Sequence, residues 1–223
     1  MVFMDVIILS GGKGTRMEDS LPKAMIPVKG KPIISHQIDY FLKQKETEKI
    51  ILSLGYKSDI VVDYINKNYP DENIEFSLDP PDGEPLGTGG AIKKALKLVA
   101  TDKVIVLNAD DITNINISEL LKSKENTICA AHPRLPFGII HETESYAQFE
   151  EKPMLMDLWV SCGWYIFNRE EILKHLPDKG SIEYDTFPNI KLKIYNHEGF
   201  WMALNAKKDI LEFEAIELPK ELA

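Results

Sequence analysis

The chain has 223 residues, of which 44% are hydrophobic, and its 26 Lys and Arg against 35 Asp and Glu give a formal net charge of −9. This composition is typical of globular proteins, and the length suits one large α/β domain or at most two small ones. No run of about 18 apolar residues predicts a membrane span, and the acidic balance argues against a nucleic-acid partner. Two cysteines do not make a disulfide framework, and the start resembles no signal peptide, so we expect a cytoplasmic protein.

The first half of the chain alternates predicted strands and helices. Apolar runs rich in β-branched residues predict buried parallel strands at 6–9, 50–54, 74–78 and 104–107. Apolar residues at helical spacing predict three helices between them, at 34–42, 58–65 and about 89–99. The alternation predicts βαβ units in a mostly parallel sheet.

The second half is predicted to form a smaller mixed lobe. We expect short strands at 127–131, 138–141, 147–150 and 161–167, a helix near 169–175, a segment without assignment at 184–190 and a last helix at about 207–216. No linker rich in Ser or Gly separates the two halves. We therefore predict a single domain, with a first half at about 1–125 and a second half at about 126–223.

A basic, glycine-rich loop follows the first predicted strand, with the sequence Ser10-Gly11-Gly12-Lys13-Gly14-Thr15-Arg16. Glycines allow backbone N–H groups to approach an anion, and Arg16 and the nearby Lys23 add two positive charges. The loop lacks the P-loop pattern, and Met17 stands where a dinucleotide fingerprint needs its third glycine. By itself the loop indicates a nucleotide site or, more plainly, a basic turn after a strand.

The segments GGKGTR and LPKAMIPVKGKPII resemble the signature of the sugar-1-phosphate nucleotidyltransferases. The resemblance continues in order through EPLGTGGAI at 84–92, VLNAD at 106–110, FEEKP at 149–153 and SCGWYIF at 161–167. Short single-domain members fit best, such as the D-glycero-D-manno-heptose 1-phosphate guanylyltransferases. The resemblance implies a Rossmann-like, three-layer α/β/α fold, the nucleotide-diphospho-sugar transferase fold, with a nucleotide-binding first half and a sugar-phosphate-binding second half.

The resemblance also implies an activity and a set of site residues. The expected reaction condenses a nucleoside triphosphate with a sugar 1-phosphate, giving an NDP-sugar and pyrophosphate with Mg²⁺ as cofactor, by in-line attack on the α-phosphate. GTP is the expected nucleotide, from the heptose-type resemblance alone. The implied catalytic residues are Arg16, Lys23 and Asp110; nucleotide contacts are implied for Leu9, Gly11, Gly12, Gly14, Thr15, Glu84, Gly87 and Thr88; and sugar-phosphate contacts for Asn108, Glu151, Lys152 and Gly163.

The expected metal site departs from the family pattern. Family members carry a second Asp, in forms such as W-x-D or W-x-x-M-D, where this chain reads Trp201-Met202-Ala203-Leu204-Asn205. Aligned on the W-x-x-M-D form, Asn205 takes the place of Asp and is a weaker metal ligand. Aligned on the W-x-D form, Ala203 takes that place and the ligand is missing. Another acid, Asp111 or Asp209, is then the candidate to replace the missing carboxylate. We predict Asp110 and Asn205 as the metal ligands and leave reduced metal affinity open.

Three other functions stay open from the sequence. The altered metal motif is compatible with a regulatory homologue that binds a nucleotide sugar without catalysis. The glycine loop is shared by cytidylyltransferases that use a non-sugar acceptor. A nicotinamide-dependent oxidoreductase is disfavoured by Met17. A homodimer is an open alternative to a monomer, and no membrane partner is expected.

Overall fold

The computed structural model describes residues 2–12, 21–80 and 84–222. The strands in chain order are β1 (Met4–Ser10), β2 (Pro27–Val28), β3 (Lys31–Pro32), β4 (Thr47–Leu54), β5 (Ile74–Leu78), β6 (Lys103–Asn108), β7 (Asp111–Thr113), β8 (Thr127–Ala131), β9 (Ile139–Thr143), β10 (Tyr146–Glu150), β11 (Val160–Asn168), β12 (Lys193–His197) and β13 (Trp201–Ala203). The α-helices are α1 (Ile33–Leu42), α2 (Ser58–Asn68), α3 (Gly87–Ala95), α4 (Ile117–Leu120), α5 (Arg169–Leu173) and α6 (Lys207–Ala215). Short 3₁₀ turns lie at Lys23–Met25 and Phe187–Asn189, and a π-helical turn lies at Ile182–Thr186.

Seven strands form one sheet in the order β12-β8-β11-β6-β1-β4-β5. β1 pairs in parallel with β4 and β6, β4 with β5, and β8 with β12. β11 runs antiparallel to both β6 and β8. The predicted α/β fold with a mostly parallel mixed sheet is thus confirmed. Both halves of the chain contribute strands to this sheet, while their assignment to separate binding roles stays a prediction.

The apolar runs of the strands are buried on both faces of the sheet. Val6 and Ile8 of β1 pack in a cluster with residues of α1, whereas Ile7 between them packs in a second cluster with Ile92 of α3. Neighbouring side chains of a strand point to opposite faces, so helices on both sides bury a continuous apolar run. Burying each such side chain contributes about 1.5–3 kcal/mol to stability.

The third predicted helix has different bounds in the structure. It begins at Gly87, two residues early, and ends at Ala95, although we expected it to reach about residue 99. The carboxylate of Asp5 accepts the N–H groups of Ala100 at 2.6 Å and Thr101 at 3.3 Å. These bonds turn the chain toward β6 instead of extending the helix. Leu96 and Val99 stay buried in the turns that follow α3.

Several short or polar strands were not predicted from the sequence. β12 is an edge strand that carries only Ile194 and Tyr195 as large apolar residues, so its alternation is weak. β7 and β13 have three residues each and pair antiparallel outside the main sheet. This small pair matters for the site, because it sets Ala203 opposite Asp111.

Within the described ranges, no helix has the length and apolar character needed to cross a membrane.

Candidate active site

A cleft of about 540 Å³, called the first cleft here, opens at the carboxyl ends of β1, β4, β5 and β6. In open α/β sheets, ligand sites collect at this edge. The first cleft brings together nine residues that the sequence singled out: Leu9, Gly11, Gly12, Lys23, Gly87, Thr88, Asn108, Asp110 and Asn205.

Lys23, Asp110 and Asn205 converge at one end of the first cleft. The ammonium group of Lys23 forms an ion pair with the carboxylate of Asp110, and it donates a hydrogen bond to Oδ1 of Asn205 at 3.2 Å. The backbone N–H of Leu204 donates to the carbonyl of Asp110 at 2.8 Å, which fixes the segment that carries Asn205 beside Asp110. This end of the cleft therefore holds the Lys23 ammonium between two side-chain oxygens, one from Asp110 and one from Asn205.

The side-chain oxygens of Asp110 and Asn205 are suitable ligands for a divalent metal ion. A carboxylate and an amide carbonyl are hard ligands, and Mg²⁺ is usually bound by one or two carboxylates together with phosphate oxygens and water. Asp110 and Asn205 already share a cation, the Lys23 ammonium. In the described part of the chain, no group of three or more His, Cys, Asp or Glu could hold a metal by itself. A metal here would need further oxygens from a bound phosphate.

Asp111 is held beneath this end of the cleft rather than in it. Its carboxylate accepts hydrogen bonds from Nδ2 of Asn108 at 3.0 Å and Nε1 of Trp201 at 3.1 Å. Gly163 has a φ of +72°, and an added Cβ there would lie 1.9 Å from Oδ2 of Asp111, so only glycine leaves room for this carboxylate. Burial, with the charge of Asp110 beside it, raises the pKa of Asp111 to about 7.

Asp209, the other acid that the sequence offered as a substitute ligand, has a structural role. Its Oδ2 accepts the N–H groups of Asn205 at 2.9 Å and Ala206 at 2.7 Å, at the start of α6. Carboxylates stabilise helix N-termini in this position. The bonds fix the backbone of Asn205, so Asp209 orients the side chain that meets Lys23.

The opposite end of the first cleft carries Asp79, which the motifs did not indicate. Asp79 follows β5, and an added Cβ on Gly55 would lie 3.0 Å from its Oδ2 and 2.8 Å from the carbonyl oxygen of Gly11. Burial raises the pKa of Asp79, although Lys94 and the N–H of Leu86 favour its charged form. The one signal in the sequence was its place directly after a predicted parallel strand.

The segment around α3 packs against Gly180 and its neighbours. The N–H of Gly89 donates to the carbonyl of Gly180 at 2.9 Å, and an added Cβ on Gly87 would lie 2.4 Å from that oxygen. Thr88 lines the cleft, but its hydroxyl accepts the N–H of Ile182 and donates to Glu183, both at 2.9 Å.

Several predicted residues lie apart from the first cleft. Glu84 forms an exposed ion pair with Lys179 and does not line the cleft. Glu151 and Lys152 are exposed beyond β10, with 3.7 Å between Oε1 and Nζ. Gly163 lies against Asp111 and does not line the first cleft. Gly14, Thr15 and Arg16 lie outside the described residues.

Lys152 lines a second cleft, of about 710 Å³, between the segment after β8 and helix α6. Residues 201–203 of β13 form part of its wall, whereas Asn205 lines the first cleft. The two clefts therefore approach each other along the short stretch 201–205. Trp201 lines the second cleft, and its Nε1 donates a hydrogen bond to Asp111.

Comparison with known proteins matches residues 5–191 to the family model described as Nucleotidyl transferase. The chain is 29% identical to D-glycero-alpha-D-manno-heptose 1-phosphate guanylyltransferase of Campylobacter jejuni, over 94% of this chain and 98% of that protein. It is 31% identical to the protein of the same name from Aneurinibacillus thermoaerophilus, over 82% of this chain and 83% of that one. The crystal structure of HddC from Yersinia pseudotuberculosis complexed with GMP-PN superposes with a TM-score of 0.76 at 27% identity, covering 95% of this chain and 98% of that one.

Proposed function

The chain belongs to the nucleotidyl transferase family, and on that premise we propose that it transfers GMP from GTP to a sugar 1-phosphate, giving a GDP-sugar and pyrophosphate. The observation that carries the proposal is the convergence of Lys23, Asp110 and Asn205 at the carboxyl edge of the parallel strands. The names of the relatives, which are guanylyltransferases of a heptose 1-phosphate, support the choice of GTP and of a manno-heptose 1-phosphate as acceptor.

In this reaction an oxygen of the sugar phosphate forms a bond to the α-phosphorus of GTP. The bond from the α-phosphorus to the bridging oxygen breaks, and that oxygen leaves with pyrophosphate. Both reactants are anions, so the site must align them and neutralise their charge. Lys23 would carry positive charge to the phosphates, and Arg16 on the glycine loop stays a second predicted contributor.

Enzymes of this family are generally metal-dependent, and we propose Mg²⁺ as the metal. Asp110 and Asn205 would hold it, and when bound it would neutralise phosphate charge and polarise the α-phosphate. Lys23 bridges these two side chains in the structure. We propose that Lys23 exchanges these partners for phosphate oxygens when the nucleotide binds.

The two substrates would approach from different sides. The nucleotide would lie in the first cleft, along Leu9, Gly11, Gly12, Gly87 and Thr88. Gly14 and Thr15 stay predicted contacts. Glu84 stays a predicted contact too, and it would have to release Lys179 before it could bind the nucleotide. The acceptor would lie between Asn108 in the first cleft and Lys152 in the second. Glu151 and Gly163 stay predictions for the sugar, as do a cytoplasmic location and a homodimer.

Pyrophosphate release with a panel of nucleotides and acceptors tests the proposed function. We expect turnover with GTP, Mg²⁺ and a manno-heptose 1-phosphate, and weaker turnover with UTP, CTP, dTTP or ATP. The variant Lys23→Met keeps the length of the side chain but removes its charge, so it should turn over at least about a hundredfold more slowly. Turnover that stays unchanged in this variant would contradict the role assigned to Lys23.

A second function remains for the same site. Asn205 carries no charge, and the side chain of Ala203 has no atom that could bind a metal. The main alternative to an enzyme is therefore a regulatory protein that binds a nucleotide sugar. Binding of a GDP-sugar without turnover of any substrate pair would favour that second function over the enzyme.

A further inference from the structure

The buried carboxylate of Asp111 is hydrogen-bonded to one residue in the wall of each cleft. Asn108 lines the first cleft and donates from Nδ2 to Oδ2 of Asp111 at 3.0 Å. Trp201 lines the second cleft and donates from Nε1 to Oδ1 at 3.1 Å. A single carboxylate therefore holds a side chain in both walls. This inference rests on the proposed function, in which the acceptor lies between the same two clefts.

The surroundings of Asp111 fix this carboxylate in place. Its backbone carbonyl accepts hydrogen bonds from Nε2 of Gln37 and Nε1 of Trp164, both at 2.9 Å. A Cβ added to Gly163 would lie 1.9 Å from Oδ2 of Asp111 and 2.7 Å from Nδ2 of Asn108. The glycine thus leaves room for the hydrogen bond between these two side chains. Asp111 is a fixed acceptor against which the amide of Asn108 is oriented.

The orientation of the Asn108 amide follows from the chemistry of its partner. A carboxylate accepts hydrogen bonds and donates none, so the NH₂ group of Asn108 faces Asp111. The carbonyl oxygen Oδ1 is the end of the amide that remains for a ligand, and within the described part of the chain no donor meets it. An oxygen that only accepts needs a donor on the ligand. A sugar hydroxyl can donate to it, whereas an ionised phosphate oxygen cannot.

We propose that Asp111 is a positioning residue, which turns the carbonyl oxygen of Asn108 toward the acceptor so that it accepts a hydrogen bond from one hydroxyl of the sugar. The ribose of GTP also carries hydroxyl groups. The acceptor is favoured because Asp111 joins Asn108 to Trp201, and Trp201 belongs to the second cleft, into which the acceptor extends in the proposed function.

Fluorinated acceptors test the direction of this hydrogen bond. Fluorine in place of a hydroxyl has a similar size but cannot donate. The probes are manno-heptose 1-phosphate and its analogues in which each hydroxyl in turn is replaced by fluorine. At the contacted position, kcat/KM of the wild type should be about tenfold higher for the parent than for the analogue, the scale for leaving one polar group unpaired. Asn108→Ala should bring this ratio to about one.

Asp111→Asn should turn the amide of Asn108 over. Nε1 of Trp201 only donates, so the new side chain keeps its oxygen toward Trp201 and its NH₂ toward Asn108. Asn108 then accepts through Oδ1 and presents its own NH₂ to the sugar. A hydroxyl can accept from this group, and fluorine accepts weakly, so the ratio should fall to about two. Asp111→Ala frees the amide and should lower the ratio as well. A merely structural role would slow both acceptors alike and leave the ratio at about ten.

Asp39→Asn is the matched control, since it makes the same change from acid to amide on α1. The carboxylate of Asp39 accepts from the hydroxyl of Tyr69 at 2.8 Å and pairs with Lys31, and it is not among the residues that line the two clefts. This variant should keep the wild-type ratio. A ratio that stays at about ten in both Asp111 variants would overturn the positioning role, even if Asn108→Ala abolished it.

Two further results would overturn the assignment to the acceptor while leaving nucleotidyl transfer intact. One is a wild type that tolerates fluorine at every position. The other is a loss of activity with 2′-deoxy-GTP that disappears in Asn108→Ala, because the hydroxyl would then belong to the ribose. The absence of turnover with every substrate pair would instead count against the proposed function. The dissociation constants of GDP-manno-heptose and its fluorinated analogues, measured by calorimetry for wild type and Asp111→Asn, would then decide the role of Asp111 by the same ratios.

Discussion

Lys23 occupies the place between Asp110 and Asn205 that a metal ion bound to the same two side chains would take. The ammonium group and the proposed divalent cation would thus compete for one pair of oxygens. Asn205 offers an oxygen without charge. This favours exchange of the Lys23 ammonium for a metal ion, because neither cation would be held by two carboxylates. In the proposed mechanism, this one side chain would set the balance between the ion pair of Lys23 with Asp110 and a metal-bound site.

Asn205→Asp should therefore tighten metal binding, by roughly tenfold, because a second carboxylate adds charge to the ligand set. Calorimetry with Mg²⁺ or Mn²⁺ and bound nucleotide measures the affinity directly, apart from turnover. Asn205→Ala removes the oxygen and should weaken binding. Equal metal affinity in wild type and both variants would mean that Asn205 is not a ligand.

The residues of the site were predictable where a motif carried them. Gly11, Lys23, Gly87 and Asp110 belong to recognisable segments, and the structure brings them into one cleft. Asp79 was missed because its neighbours form no motif, and its place in the first cleft depends on the strand order, which a sequence does not display. The hydrogen bond from Trp201 to Asp111 was equally hidden, because it depends on a three-residue strand pair.

At the scale of elements, the strands and helices of the first half were predictable because their apolar patterns are long and regular. β5 lies at the predicted residues, 74–78, and in the second half β8 also lies at the predicted residues, 127–131. The end of α3 was not predictable, because it depends on Asp5, about 95 residues away in sequence, which accepts the N–H of Ala100. Tertiary hydrogen bonds of this kind override local helical preference.

The buried ring of His36 links helix α1 to two other elements. It lies on α1, its Nε2 is 3.0 Å from the carbonyl oxygen of Val28 in β2, and its ring meets the ring of Phe213 on α6 edge-on at 5.7 Å. Burial lowers its pKa below the ordinary value of 6.5, and Nδ1 is buried without a partner in the described residues. The ring is therefore neutral in the folded protein, with Nε2–H donating to Val28.

This neutral histidine should make folding sensitive to acid. As the pH falls through 6.5, the unfolded chain takes up a proton at His36 more readily than the folded protein does, so the free energy of unfolding falls. The slope from one proton is at most about 1.4 kcal/mol per pH unit. Urea unfolding at several pH values should show a smaller loss of unfolding free energy toward acid pH in His36→Gln than in wild type. Burial also lowers the pKa of His197, which contributes in the same direction and is kept in both proteins. The exposed His175 provides the control His175→Gln. Parallel pH curves for wild type and His36→Gln would contradict this assignment.

At the scale of the whole molecule, the sheet joins the two halves of the chain. β6 of the first half pairs with β11 of the second, with Leu107 opposite Trp164 and Ile105 opposite Ile166. All four side chains are buried in one apolar cluster. A first half alone would expose the edge of β6 and part of this cluster to water, at a cost that grows with the apolar area uncovered. The continuous sheet is the physical reason to expect one cooperative unit.

Two optical probes can test this cooperativity, because they report on different halves. Trp159, Trp164 and Trp201, the three tryptophans of the chain, all lie in the second half. The longest helices, α1 and α2, lie in the first half and contribute strongly to the far-ultraviolet circular dichroism. In urea, the fluorescence and dichroism transitions should coincide, as two-state unfolding requires. Two separated midpoints would show that the halves unfold independently, and the single-domain prediction would then be wrong. Coincident midpoints would mean that a substitution at the β6–β11 junction destabilises the first cleft and the second cleft together.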